Sequence, residues 1–141
     1  MPTQLTIHLR PGASDGFVEA SADVSCRGFG GHTRFTIARR DLEAFARDVA
    51  ALERGDANVA QLIGGWDAVA ERLRLSVTRA GATGEFTARV RVADIGARAD
   101  QWDRAETQFV CAGDALDAFV VSLTSGKAHD ARLAGDPEST A

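Results

Sequence analysis

The feature of this 141-residue chain that most constrains its fold is that its apolar pattern occurs twice. Leu5, Ile7, Leu9, Gly16, Val18, Ala20, Ala22 and Val24 recur 68 positions later as Leu73, Leu75, Val77, Gly84, Phe86, Ala88, Val90 and Val92. The offset then becomes 74. Phe35, Ile37, Leu42, Glu43, Ala44, Phe45 and Val49 return as Phe109, Cys111, Leu116, Asp117, Ala118, Phe119 and Leu123. The six additional residues fall around Trp102, where a loop can absorb an insertion that a strand or a helix cannot. A pattern held in register over strands and helix alike marks a repeated structural unit.

Each copy reads as β-β-β-α. In the first, Leu5, Ile7 and Leu9 alternate with Thr6, His8 and Arg10, and the run Pro11 to Gly16 turns the chain. Val18, Ala20, Ala22, Val24 and Cys26 alternate with Glu19, Ser21, Asp23 and Ser25. Gly28, Gly30 and Gly31 are expected to form the next turn, and Thr33, Phe35 and Ile37 the inward side of a third strand. The period then changes from 2 to about 3.6, and Leu42, Phe45, Ala46, Val49 and Leu52 form the stripe of a helix from about 41 to 54, closed by Gly55. Val59 to Ile63 is a candidate extra strand before Gly64 and Gly65.

The second copy repeats this series, with a loop expected from Asp94 to Arg104 and Asp114 as the expected N-cap of the second helix. The expected fold class is α+β: a duplicated β-β-β-α unit forming a mostly antiparallel sheet, both helices packed on one face. Residues 1–127 then make one domain, with pseudo-repeats at about 4–54 and 72–126. Residues 128–141 are polar, carry Gly135 and Pro137, and read as a solvated tail.

Composition narrows the function classes. A hydrophobic fraction of 45% and a charged fraction of 26% belong to an ordinary globular protein. No apolar run is long enough to span a bilayer, and Met1 to Gln4 leads into a strand without a signal-peptide pattern, so a cytoplasmic protein with no membrane partner is expected. The net charge of −4 offers no clustered basic face for nucleic acid. The scarcity of lysine, with Lys127 alone, and the absence of Tyr beside abundant Ala, Gly and Asp resemble a GC-rich bacterial coding bias.

Residues that could carry chemistry are sparse. Cys26 and Cys111 lie in strand patterns and read as buried thiols. His8 sits on an outward strand position, His32 in the glycine turn and His129 in the tail, with no ligand spacing between them, so neither metal nor cofactor is expected. Gly28 to Gly31 lacks the Lys-Ser/Thr ending of a phosphate loop and leads into a strand. The densest polar group is the expected loop, with Asp94, Arg98, Asp100, Trp102, Asp103 and Arg104. The open sheet face carries Arg74, Arg89 and Arg91 from the second unit against Glu19 and Asp23 from the first.

With this order of elements, and on Phe35, Leu42 and Phe45, the run Ala60-Gln61-Leu62, Gly84 to Val92, and Phe109 with Leu116 and Phe119, the chain resembles small bacterial domains grouped with WapI-type immunity proteins. These are core and turn positions. The resemblance implies an antidote that binds and blocks a toxin domain, and it implies no catalytic residues. The leading expectation is a non-enzymatic binding protein whose partner surface draws on Trp102, Asp100, Asp103, Arg104, Arg74, Arg89 and Arg91. The alternatives are a small-ligand or enzymatic cleft near the 94–104 loop, and a homodimer paired through the sheet face.

Overall fold

The computed structural model describes residues 3–11, 16–26, 29–65, 71–81, 84–95, 102–125 and 129–137. Its elements are β1 (Thr3–Pro11), β2 (Phe17–Cys26), β3 (Phe29–Ala38), α1 (Arg39–Arg54), β4 (Ala60–Gly65), β5 (Glu71–Arg79), β6 (Glu85–Ile95), β7 (Trp102–Ala112), α2 (Gly113–Thr124) and β8 (His129–Pro137). They form two antiparallel four-stranded sheets, β3-β2-β1-β8 and β7-β6-β5-β4, joined where β7 meets β8 at Phe109↔Pro137 and Val110↔Asp136. The α+β class and the duplicated unit expected from the sequence are present.

The inward strand residues do in the structure what their alternation demands. Leu5, Ile7, Ala22, Leu73, Leu75, Val77, Ala88 and Val90 are at most 1% exposed, and they share one apolar core with Leu42, Phe45, Val49 and Leu52 of α1 and Leu116, Phe119 and Leu123 of α2. The two helices touch each other, α1 also lying against β4 and α2 against β8. Cys111 is buried in this core as a free thiol, and loss of solvation pushes its pKa up to about 11.

The repeat is visible in backbone hydrogen bonds as well as in the pattern. Gly16 and Gly84 both adopt positive φ, 84° and 82°, in the β1–β2 and β5–β6 turns. The carbonyl of Gly16 accepts the amide of Arg39 at 2.7 Å, and that of Gly84 accepts the amide of Gly113 at 2.9 Å. These are the first residues of α1 and α2, so each hairpin turn satisfies a helix amide that would otherwise lack a partner. That contact replaces a side-chain cap: Asp114, expected as N-cap, lies in the first turn of α2, and Ala112 holds the N-cap position without a side-chain bond.

The expected solvated tail is corrected by the structure. Residues 129–137 form β8, which pairs with β1 from Leu9↔His129 to Thr3↔Gly135 and buries Ala131 and Leu133 completely. Each unit is therefore β-β-β-α-β, and each fourth strand pairs with the first strand of the other unit, β4 with β5 and β8 with β1. The sequence carries the matching signature, Ala60-x-Leu62-x-Gly64 and Ala131-x-Leu133-x-Gly135. Both glycines lie under equivalent aromatic rings. A Cβ on Gly64 would stand 2.4 Å from the Phe35 ring, and one on Gly135 would stand 2.8 Å from that of Phe109. Only the absent side chain allows such an approach.

Two expected turns also change. Gly30 and Gly31, expected in a turn, are β3 residues opposite Ser25 and Val24, so His32 lies in a strand. The loop expected from Asp94 to Arg104 shrinks, because Asp94 and Ile95 end β6 while Trp102, Asp103 and Arg104 begin β7 opposite Ile95, Asp94 and Ala93. Extending the ladder satisfies backbone groups that a long loop would leave to water.

The interface between the helices weakens as pH rises. A hydrogen bond that protonated Glu53 on α1 donates to Asp117 on α2, with some desolvation, raises Glu53 from its ordinary 4.5 to about 7. A raised carboxyl binds its proton more tightly in the folded state, so this contribution to stability is full below pH 4.5 and is lost as pH rises through about 7. Glu53→Gln should flatten the stability profile over that window in urea titrations; an unchanged profile would refute the shared proton. Leu133→Ala should cost about 2–5 kcal/mol, as a core residue does. A thermal melt of that variant superimposing on that of the parent would return β8 to the status of a tail.

Candidate binding surfaces

Both sheets turn one face to the core and leave the other open, and on each open face the polar residues are placed by the hairpin registers. On the second sheet, Arg74 of β5 stands directly across from Arg91 of β6, with Arg89 two residues along the same strand. The three arginines singled out in the sequence are thus brought onto one surface. Arg89 donates from Nε and one Nη to the side-chain oxygen of Gln108 at 3.1 and 3.0 Å, and Arg91 approaches Glu106 at 3.9 Å. Ile63 of β4 pairs with Arg74 and is 44% exposed, adding an apolar group beside the guanidinium row.

Of the other residues expected on a partner surface, Trp102, Asp103 and Arg104 are placed by their backbone at the start of β7, next in the ladder to Ala105 and Glu106. Asp100 lies outside the described residues, as does Arg98, so the proposed cleft at that loop is not placed.

On the first sheet the structure assembles a group that sequence spacing did not reveal. His8 of β1 contacts Asp130 of β8 through Nδ1 at 2.6 Å and Asp23 of β2 through Nε2 at 3.0 Å. Asp23 in turn contacts Nδ1 of His32 on β3 at 2.6 Å, and Asp130 approaches Arg132 at 3.7 Å. The result is an alternating row of basic and acidic groups across β8, β1, β2 and β3. The Asp130 hydrogen bond, aided by the charge of Asp130 and the contact with Asp23, raises His8 above its ordinary 6.5 against the opposing effect of desolvation.

This row corrects the expected charge contrast between the halves. Glu19 and Asp23 do not present a bare acidic face, because Arg10 stands 3.6 Å from Glu19 and the two histidines hold Asp23. Beside the row lies an open depression of about 610 Å³ whose polar lining includes His8, Arg10, Glu19, Ser21, His32 and Arg34.

His8 itself is poorly placed for nucleophilic or metal chemistry. Both ring nitrogens of His8 are spent on carboxylates, which leaves none to accept a proton from a nucleophile or to ligate a metal. Among the described residues no group of His, Cys, Asp and Glu is placed to hold a metal ion, and no helix is long and apolar enough to cross a membrane. What the two faces offer is charge presented on rigid strands.

No family model, curated protein or solved structure matches this chain.

The His8 contacts have a pH signature. A histidine whose folded pKa is raised adds stability that is full below its unfolded value of about 6.5 and is lost as pH rises through the higher folded value. In a Glu53→Gln parent, which lacks the other group that titrates near pH 7, His8→Gln should therefore remove a decline in stability that sets in as pH rises above about 6.5. Equal slopes for parent and variant would mean that His8 is not held as a cation between Asp23 and Asp130.

Proposed function

We propose that this chain is a non-enzymatic protein-binding domain of the immunity kind, which covers an acidic surface of a toxin domain with the open face of β5, β6 and β7. The observation that carries the reading is the direct opposition of Arg74 and Arg91 across the sheet, with Arg89 beside them and Ile63 exposed in the same row. Like charges facing each other across a strand pair oppose folding. An acidic partner would add counter-charge to the row beyond that of Glu106.

The surrounding chemistry supports the same reading. The positions equivalent to Arg74, Arg89 and Arg91 in the first unit are Thr6, Ser21 and Asp23, so the duplicated fold does not itself require arginine there. Arginine beside an exposed aliphatic group is the composition favoured where proteins meet. The resemblance to WapI-type immunity proteins supplies the class of partner, and Trp102 and Arg104, at the near end of β7, would extend the surface.

The test is a titration of the protein against the toxin domain encoded beside it. Arg89→Glu combined with Arg91→Glu should weaken that complex by roughly 30-fold or more, since losing one partner of a buried interfacial charge pair typically costs about 2–5 kcal/mol. Trp102→Ala should weaken it less. Undiminished affinity in the double variant would rule out this face, and a gene with no toxin domain nearby would count against the immunity role. A dimer of the isolated chain that the same substitutions dissociate would assign the face to self-association.

A further inference from the structure

We propose that the depression on the outer face of β1, β2 and β3 is a second binding site, one that takes an oxyanion, a carboxylate or a phosphate group, on Arg34, His32 and Ser21. It lies on the other half of the molecule from the arginine face and stands or falls independently of the function proposed above.

Charge balance within the depression comes first. Its lining holds Arg10, Arg34, His8 and His32 against a single carboxylate, Glu19, which stands beside Arg10. The two other carboxylates of the face are occupied by their own neighbours: Asp130 contacts His8 and Arg132, and Asp23 contacts His8 and His32. Arg34 is exposed and has no ion pair among the described residues. It stands directly across from Ser21, whose hydroxyl is a donor on the same floor. His32 commits only Nδ1, to Asp23, and the other ring nitrogen would donate to an anion as an imidazolium. A guanidinium flanked by a hydroxyl and an imidazole matches the donors that a carboxylate or phosphate accepts.

Position in the repeat supplies the second argument. In the second unit the places of His8, Ser21, Asp23, His32 and Arg34 are taken by Ser76, Arg89, Arg91, Glu106 and Gln108. The cross-strand pair Asp23↔His32 becomes Arg91↔Glu106, with acid and base exchanged between the strands. The same backbone is therefore stable without this row, and its members are not explained by what the fold needs. A row of imidazoles and carboxylates tied across four strands instead holds His32 in one orientation at the edge of the depression, as supporting groups do around a binding residue. About 610 Å³ lies within the range of small-ligand sites.

The experiment is an amide chemical-shift titration of the full chain with inorganic phosphate and, separately, with glutarate, each at ionic strength held constant with chloride. Saturable shifts centred on the amides of Ser21, His32, Arg34 and Thr36 are expected with at least one of the two, and whichever binds more tightly identifies the group. Arg34→Ala should weaken binding about tenfold or more, a charge-assisted hydrogen bond being worth roughly 1.4 kcal/mol or above. Arg34→Lys should recover part of the loss, and Arg47→Ala, on α1, should leave binding unchanged. Shifts that chloride alone reproduces, that do not saturate, or that persist with equal affinity in Arg34→Ala would overturn the proposal.

Discussion

The structure depends on the exchange of fourth strands between its two halves. The β4 strand completes the sheet of the second unit, and β8 completes that of the first by pairing with β1 along most of its length. Without β8, β1 would expose a row of unpaired amides and carbonyls, and the inward side of the sheet would lose Ala131 and Leu133. The strands β1 and β8, far apart in sequence, are thereby bound into one sheet. Neither half can close its core from its own residues.

Two contacts repeated in both halves set how closely the layers approach. One is the phenylalanine on the third strand over the glycine on the fourth, Phe35 over Gly64 and Phe109 over Gly135. The other is the turn glycine carbonyl that receives the first helix amide, Gly16 to Arg39 and Gly84 to Gly113. Together they fix where each helix starts and how tightly its sheet closes. The symmetry is not complete: β4 pairs Leu62 with Leu75, whereas β8 pairs Leu133 with Leu5, two residues from the equivalent partner, Ile7. A slip of two keeps the apolar side inward, which is why the core tolerates it.

The outer faces follow a different logic from the core. Their residues are free of packing constraints, and there the halves have diverged to carry inverted charge pairs on equivalent positions, Asp23 with His32 and Arg91 with Glu106. The common core builds two platforms of the same shape, and the open faces distinguish them chemically.

The strands, both helices and the duplication were legible in the sequence because burial imposes a period of 2 on strands and about 3.6 on helices, and because the repeat doubled the signal. The grouping of Arg74, Arg89 and Arg91 on an open face was legible for the same reason. Strand β8 was not, since its alternation of Ala131, Leu133 and Gly135 among charged residues is weak and its burial comes from the distant β1 together with α2 and β7. Nor was the row Asp130, His8, Asp23 and His32, because Asp130 and His8 are separated by 122 residues and meet only when β8 inserts beside β1. Local periodicity determined the elements by itself. Which of them became neighbours, and so which charges face one another, was decided by the tertiary closure of the sheet.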